Sequence, residues 1–484
     1  MGLLIAMAIV VATFTLQSYI LIEKVSLWVR NYFGYFYLYL GLGAVLFVLI
    51  LSISPWGKIK LGKVSEAPAH NLWSWIAMLY SAGMGAGILL RAVQEPVFMY
   101  QNPPYTSQLS PEILALEYTF YQWGFTPWAF YGLFAVVVGY ALFVQGAKVN
   151  VSSSLEGIIK NKFALNTLDI ITILTTVFGL IAAIGLGTTQ VTGGLNYLSD
   201  QDFGLGSTLI LTLIISLLAF ISVWKGVNKG IKVLSIINIW MTLGLLAFIF
   251  VFSDALLIIQ SFFQALGNYL RDLIPMSLAL RNYDPGIEFL TDWTFYYWAF
   301  WLSWAPFTGI FIARISKGRT LREILLGVMI IPSVGTFFWF STFGTSVFKI
   351  INSFDDYFNK FDNVFSSIFV FLEFYPMGFF LCIITLMLLV SFLVTSVDSA
   401  VFVLSMFTDK GKKLPKKSHK ILWSLVIFIS TSALIILGNV KTDIDVLTAV
   451  QKLLIITSLP FAILLVIILI AFIVRVSRQP LNSK

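Results

Sequence analysis

Charged residues are scarce in this sequence. Asp, Glu, Lys and Arg make up 11% of the 484 residues, whereas apolar residues make up 58% and the mean hydropathy is +0.90. An ordinary soluble domain has about 25% charged residues, so a water-soluble fold of this size is excluded. The alternating ten-residue pattern of a membrane β-barrel is also absent. The predicted class is therefore an all-α polytopic membrane protein, in which each helix satisfies its own backbone groups.

Cysteine and histidine are nearly absent as well. Cys382 lies in an apolar run, and His70 and His419 lie in polar stretches far from any acidic or thiol cluster. This rules out a disulfide framework and argues against metal ligation and histidine-based catalysis. The sequence has no phosphate-binding glycine loop ending in Lys-Ser or Lys-Thr, which argues against an attached ATPase. We predict a protein that is not an enzyme and that holds no cofactor.

Long apolar segments, by contrast, are numerous. A spanning helix needs about 20 mostly apolar residues, and we predict twelve such spans in one transmembrane domain. They are 2–21, 34–54, 72–99, 112–144, 167–198, 206–224, 231–253, 291–313, 322–347, 364–405, 420–438 and 451–474. Residues 255–285 predict a longer external segment that is partly an amphipathic helix at the membrane interface.

The basic residues are unevenly distributed between these spans. Of the 31 Lys and Arg residues, 22 fall in the six stretches 55–71, 145–166, 225–232, 314–322, 407–420 and 475–484. Lys and Arg accumulate on the cytoplasmic side of membrane proteins, so these stretches and both termini are predicted to be cytoplasmic in an inner (plasma) membrane. The formal charge of +8 thus orients the chain and does not indicate a nucleic-acid partner.

Glycine and proline interrupt two spans where a plain anchor would have Leu and Ala. Residues 81–87 read Ser-Ala-Gly-Met-Gly-Ala-Gly, and the eighth span contains Pro306 and Gly309. If spans 3–7 (72–253) and 8–12 (291–474) are two repeats, these interrupted helices occupy corresponding positions, which is typical of a midplane substrate site. Gly85 and Gly87 would then let a substrate approach the backbone closely. The alternative is close helix packing through small residues.

Aromatic residues are concentrated in spans 4 and 8. Trp123 and Trp128 lie well inside span 4, and Trp298, Trp301 and Trp304 recur every three residues along one stripe of span 8. Ring faces attract quaternary ammonium groups by about 0.5–2 kcal/mol per contact. The pattern therefore favours a cage for such a ligand, and the alternative is an interfacial aromatic belt.

Span 10 contains Thr395-Ser396-Val397-Asp398-Ser399. Two adjacent hydroxyl groups before an intramembrane acid indicate a functional site, and Thr395 and Ser396 could supply oxygens to Na⁺. Asp398 is expected to pin a neighbouring helix rather than contact the ion. The alternative is that these hydroxyls only bond to carbonyls of their own helix.

With these motifs in view, the chain resembles the betaine/carnitine/choline transporter family. The glycine run followed by Glu95-Pro96, the aromatic segment 295–307 continuing through 312–320, and 395–399 all look like signatures of that family. The resemblance implies a leucine-transporter-like core of two inverted five-helix repeats, a connecting segment at 254–290, two extra helices within 1–54, and a homotrimer.

The resemblance also implies particular site residues. An aromatic box would consist of Trp123, Trp128, Tyr131 and Trp301, with Trp304 along the path to the cytoplasm. A sodium site would consist of the backbone carbonyls of Ala82 and Met84 with Phe392, Thr395 and Ser396, and Phe307 would contribute to a second sodium site in coupled members. Met84, Gly85 and Gly87 would face the substrate.

Two residues depart from the family pattern. Phe300 stands where tryptophan is usual, and Arg91 stands four residues after Gly87, where an uncharged residue is expected. A charge in this helix needs a partner. One hypothesis gives Arg91 an i,i+4 ion pair with Glu95, and the other has Arg91 bind the carboxylate of the substrate.

We predict a sodium-coupled symporter that imports a small betaine-like zwitterion, with membrane lipids as surroundings. Some family members are sodium-independent exchangers of the carnitine/butyrobetaine type, in which a basic side chain substitutes for the ion. No Lys or Arg lies between Val233 and Ser253, where that side chain is expected, and this favours sodium coupling. The remaining alternatives are a carrier of another zwitterion engaging Arg91, a membrane enzyme, and a transport-inactive sensor.

Overall fold

The computed structural model describes residues 1–83, 85–148, 150–156, 158–225, 228–353, 359–409, 415–441 and 444–478, and this part of the chain is helical apart from its connections. The α-helices are α1 (Gly2–Thr13), α2 (Thr15–Ile53), α3 (Leu72–Gly83), α4 (Ala86–Arg91), α5 (Gln94–Gln101), α6 (Pro111–Trp123), α7 (Phe125–Phe143), α8 (Val151–Leu155), α9 (Lys162–Ser199), α10 (Leu205–Lys225), α11 (Asn228–Phe252), α12 (Ala255–Ser277), α13 (Ile287–Phe289), α14 (Tyr296–Ile315), α15 (Leu321–Ser353), α16 (Ser367–Leu372), α17 (Gly378–Thr408), α18 (Lys417–Leu437) and α19 (Val446–Ser477).

Within the described residues, nine helical segments are long and apolar enough to cross a membrane. They correspond to nine of the twelve predicted spans, with α6 and α7 together forming one of them. The other three predicted spans are 2–21, 72–99 and 291–313, whose helices are shorter, broken or less apolar. The all-helical class is confirmed, whereas the count of twelve and the inverted repeats stay predictions.

The N-terminal region differs from the predicted division into spans 2–21 and 34–54. The helix break lies at Phe14, and α2 continues through the predicted connection at 22–33. The charges that suggested a connection are paired inside the structure: Arg30 donates to the Glu23 carboxylate over 3.0 Å, and Lys452 of α19 contacts the same carboxylate. Paired charges do not need to leave the helix.

The predicted interruption of span 3 is present. Helix α3 ends at Gly83, Gly85 is extended (φ −133°, ψ −170°), and α4 begins at Ala86. A second break separates α4 from α5, just before Glu95-Pro96. Glycine has no side chain to stabilise the helical conformation, which explains why the helix ends within the glycine run.

The predicted interruption of span 8 at Pro306 and Gly309 is wrong. Helix α14 runs through both residues, and the irregular turn is instead a π-helical segment at Leu290–Phe295. Gly309 serves packing, because a Cβ there would lie 2.7 Å from Cδ1 of Phe134 on α7 and 3.2 Å from the nitrogen of Ala135. The alternative of close packing therefore holds at this position.

Two further helices break where the sequence predicted continuous spans. Gly124 separates α6 from α7, and a Cβ at this position would lie 2.5 Å from the carbonyl oxygen of Phe120. The predicted span 364–405 is divided into α16 and α17, with Met377 in the left-handed region at φ 63°. The predicted amphipathic helix within 255–285 is α12.

Helices α4, α7, α9, α14 and α17 lie at the centre of the molecule. Helix α14 packs against α7, α9 and α19, and α17 packs against α9, α10 and α11. Helix α4 contacts both α9 and α17. The broken span 3 therefore lies between the two halves of the chain, next to the aromatic segment of α14.

The contact between Gly309 and α7 gives a test of this packing. We expect Gly309→Leu to destabilise the protein by about 1–3 kcal/mol, because the new side chain must displace the Phe134 ring. Thermal unfolding of detergent-purified protein measures the effect. Gly132→Ala is the matched control, since a Cβ at Gly132 would lie 3.5 Å from Val328, an ordinary contact. Equal unfolding temperatures for the two variants would contradict the packing described here.

Candidate substrate site

A central cavity of about 780 Å³ lies between α4, α6, α7, α9, α11, α14 and α17. Its wall is mostly apolar and aromatic, with few polar groups, as in most small-molecule sites. One end of the lining includes Arg91 and Tyr296, and the lining continues to His70 and Arg314. The predicted orientation places His70 and Arg314 on the cytoplasmic side.

Three predicted aromatic residues meet in the wall of this cavity. The rings of Trp123 and Trp301 are 5.0 Å apart at 75°, and those of Tyr131 and Trp301 are 6.3 Å apart at 81°. Trp301 is fixed because its Nε1 donates to the carbonyl oxygen of Gln122 over 3.0 Å. Phe300 and Trp304 also line the cavity, with Phe300 edge-on to Trp301 at 5.2 Å. Faces of several rings are therefore available to one ligand.

Trp128 is placed differently from the other predicted box residues. Its ring is buried and meets the Tyr131 ring edge-on at 5.5 Å and 86°, but Trp128 is not among the residues that line the cavity. It supports Tyr131 from behind. Both residues lie on α7, where a three-residue spacing brings side chains together on one face.

Glu95 organises the rings from one side. Its buried carboxylate accepts a hydrogen bond from Nε1 of Trp123 over 3.1 Å and a second from the hydroxyl of Tyr297. These bonds connect α5 with α6 and α14. Because the hydrogen bonds involve a charged acceptor in an apolar surrounding, they are stronger than neutral ones. The sequence analysis noted Glu95 only as part of a family motif, and an acid inside a predicted span was the signal for this role.

Arg91 lies on the same wall and is almost fully buried. Its guanidinium donates to the Gln94 side chain over 2.6 Å, lies 4.8 Å from the Trp293 ring centroid and 6.0 Å from that of Tyr297. Among the described residues, no ion pair within 4.0 Å joins Arg91 to Glu95, so the expected i,i+4 pair is not formed. The charge is instead held by an amide and by ring faces.

The predicted glycines lie opposite the rings. Gly85 and Gly87 line the cavity, and a Cβ at Gly87 would lie 3.8 Å from the Trp123 ring. A side chain at either position would reduce the free volume. The prediction for Met84 lies outside the described residues, and Ala82 belongs to α3 but its side chain lies outside the described part.

The predicted sodium residues of α17 line the cavity together with Phe307. The Thr395 hydroxyl donates within its own helix, with the carbonyl oxygens of Ser391 and Phe392 both 3.0 Å away. This is the bond pattern of the structural alternative, yet it leaves the lone pairs of the hydroxyl oxygen free to bind a cation. Asp398 also lines the cavity and lies beside Ser222 of α10, as expected for a residue that pins a neighbouring helix.

Sequence reasoning missed Gln190 on α9. Its side chain is fully buried, lines the central cavity, and has no hydrogen-bond partner for either amide atom among the described residues. Nε1 of Trp304 and the hydroxyl of Thr308 also line the cavity without a partner in this part of the chain. Buried polar atoms without partners are rare, so these three offer polar contacts to a ligand. The available signal was a lone amide in a long apolar span.

Comparisons with known proteins agree over nearly the whole chain. A profile described as betaine/carnitine/choline family transporter matches residues 1–481. The glycine betaine transporter OpuD of Bacillus subtilis is 37% identical over 464 residues, covering 94% of this chain and 89% of OpuD. The ectoine/hydroxyectoine transporter of Virgibacillus pantothenticus is 32% identical over 466 residues, covering 93% and 90% respectively.

The high-affinity choline transport protein of Escherichia coli (strain K12) is 30% identical over 474 residues, covering 95% of this chain and 68% of that protein. A solved structure, described as the substrate-bound outward-open state of a Na⁺-coupled sialic acid symporter, aligns with a TM-score of 0.48 at 14% identity, covering 89% of this chain and 85% of that one. A similarity this weak says nothing about a coupling ion. The matched relatives are transporters, which confirms that this chain belongs to no enzyme class.

The role of Glu95 can be tested by stability. We expect Glu95→Ala to lower the free energy of unfolding by about 2–6 kcal/mol, because the Trp123 and Tyr297 donors are left buried without an acceptor, at about 1–3 kcal/mol each. Thermal or denaturant unfolding in detergent provides the measurement. Glu112→Ala is the control, since Glu112 is exposed and contacts only Asn352, over 3.3 Å. If both variants unfold alike, Glu95 does not organise the site.

Proposed function

Because the chain belongs to the betaine/carnitine/choline transporter family, we propose that it imports a small betaine-like zwitterion by Na⁺-coupled symport. The observation that carries this proposal is the group of Trp123, Tyr131 and Trp301 around one cavity. Each ring contact with a quaternary ammonium group contributes about 0.5–2 kcal/mol. Trimethylammonium has no N–H to donate, so ring faces suit it better than hydrogen-bond acceptors.

The opposite charge of the substrate needs a different partner. Arg91 is a buried cation on the cavity wall whose hydrogen bond is to a neutral amide. A carboxylate would pair with this charge, and the free amide of Gln190 offers a further donor in the same cavity. The names of the relatives give glycine betaine, ectoine and choline as their substrates. Of these, we favour a zwitterion over choline because a cation without a carboxylate would leave Arg91 unpaired.

Coupling to Na⁺ is supported by the oxygen-bearing residues of α17. Thr395 and Ser396 lie on the cavity wall, next to α4 and the break in span 3. Na⁺ is a hard cation that prefers oxygen ligands, and backbone carbonyls at a broken helix supply them. With no Lys or Arg between Val233 and Ser253, no basic side chain takes the place of the ion there.

Transport would follow alternating access around this fixed site, with helices of one bundle moving against a scaffold. The cavity continues to His70 and Arg314, whereas Arg91 and Trp293 lie between it and the opposite side. With the predicted orientation, this arrangement corresponds to a carrier open toward the cytoplasm. Na⁺ would shift the balance toward the outward-open state only if it binds that state more tightly. A homotrimer stays part of the proposal.

Uptake by reconstituted protein tests this proposal. We expect an inward Na⁺ gradient to drive accumulation of radiolabelled glycine betaine in proteoliposomes, and equal Na⁺ on both sides to abolish accumulation. Exchange with betaine or carnitine preloaded in Na⁺-free liposomes would instead identify a sodium-independent exchanger. No uptake of glycine betaine, carnitine, choline or ectoine under either condition would contradict the proposed substrate class.

A substitution tests the aromatic box in the same assay. We expect Trp301→Leu to raise the KM for glycine betaine by about 2- to 30-fold, which is the loss of one ring contact of 0.5–2 kcal/mol. Trp73→Leu is the matched control, because the Trp73 side chain is 79% exposed. An unchanged KM in Trp301→Leu would remove Trp301 from the substrate site.

A further inference from the structure

A second cavity, of about 360 Å³, lies beyond the central one. It is bounded by α2, by the residues around α4 and α5, by the π-helical segment and by α19. The predicted orientation places this region on the external side. A volume of this size is within the range of about 300–1,000 Å³ in which small-molecule sites occur.

The wall of this outer cavity carries an excess of positive charge. Arg30, Arg91 and Lys452 line it, with Asp292 as the carboxylate among the lining residues. Arg30 and Lys452 share Glu23 as a partner, whereas Arg91 has no carboxylate within 4.0 Å among the described ion pairs. A cavity with walls of low dielectric constant concentrates ions of the opposite sign.

Two donors in this wall have no partner in the described part of the chain. The Ser26 side chain is fully buried, lines the cavity and makes no hydrogen bond there, and Nε of Arg30 is likewise buried without an acceptor. Arg30 Nε–H can only donate. Together with the Arg91 guanidinium they present donors to an anionic group, and a carboxylate accepts several donors at once.

Arg91 also separates the two cavities, since it lines both. Trp293, which lies 4.8 Å below its guanidinium carbon, lines the outer cavity, whereas Tyr297, at 6.0 Å, lines the central cavity. The Trp293 and Tyr297 rings are stacked, with centroids 6.3 Å apart and planes at 18°. A ligand held by Arg91 in one cavity is therefore one side-chain rotation from the other.

We propose that the outer cavity is an entry subsite that binds the carboxylate of the zwitterionic substrate through Arg30, Ser26 and Arg91, and that Arg91 then carries this carboxylate into the central cavity. The assignment rests on the proposed function for the identity of the substrate. It adds a site that the aromatic box does not supply. It also explains how a helix outside the central group of helices, α2, takes part in substrate selection.

The test uses a single reporter cysteine in the full-length protein. The chain has one cysteine, Cys382, which is buried, so Cys382→Ser gives a background without thiols. Leu447→Cys places a thiol on the wall of the outer cavity at a half-buried apolar residue. Its reaction rates with a sulfonate-bearing and an ammonium-bearing methanethiosulfonate are measured, each normalised to the rate with free 2-mercaptoethanol.

We expect the anionic reagent to react about tenfold faster than the cationic one, and this preference to fall with rising salt. Arg30→Gln and Arg91→Gln should each reduce the preference at least threefold. Lys441→Gln, which removes an exposed external charge away from the cavity, should leave it unchanged. Glycine betaine should slow labelling, whereas choline, which lacks a carboxylate, should not.

Equal rates for the two reagents, or a preference that Arg30→Gln and Lys441→Gln reduce alike, would overturn the proposal. An anion preference without protection by millimolar glycine betaine would also overturn it, because the cavity would then bind anions but not the substrate. Failure of the proposed function gives a different result. In that case protection by glycine betaine is present while Na⁺-driven uptake is absent.

Discussion

The carboxylate of Glu95 is buried at the point where three helices meet beside the central cavity. It accepts hydrogen bonds from Trp123 of α6 and Tyr297 of α14, and it belongs to α5, which follows the broken region of span 3. A carboxylate in this surrounding is costly unless its oxygens are used. The requirement for donors fixes the orientation of Trp123, and the position of Trp301 follows because the two rings pack edge to face. The shape of the aromatic wall thus depends on one buried charge.

The same constraint explains why Arg91 is held by rings and an amide. With the oxygens of Glu95 engaged by Trp123 and Tyr297, the guanidinium lies against Trp293 and bonds Gln94. This arrangement compensates part of the cost of a buried cation and leaves its charge free for a ligand. A substrate with a cationic and an anionic end would then find rings for one end and Arg91 for the other. The chemistry of the site is that of a zwitterion rather than of a simple cation.

Much of this arrangement was predictable from local patterns. The glycine run correctly indicated a helix break at Gly83–Gly85, and tryptophans deep in spans 4 and 8 correctly indicated that Trp123 and Trp301 lie on a cavity wall. Predictions failed where a tertiary contact outweighs a local signal. Pro306 does not end α14, the charges of 22–33 do not end α2 because Glu23 pairs them, and Trp128 lies behind Tyr131 because a helix face, not the sequence, determines which ring is in front. The partnerless amide of Gln190 could be recognised only from its surroundings.

The central claim is that ring faces recognise the positive charge of the substrate and not merely its shape. The most direct measurement compares calorimetric binding of glycine betaine with that of 3,3-dimethylbutanoate, which has the same shape and carboxylate but a neutral carbon in place of the ammonium nitrogen. We expect the neutral analogue to bind at least tenfold more weakly, because two or more ring contacts of about 0.5–2 kcal/mol each are lost. Equal affinities for the two compounds would contradict the claim and would leave the aromatic wall with a role in shape alone.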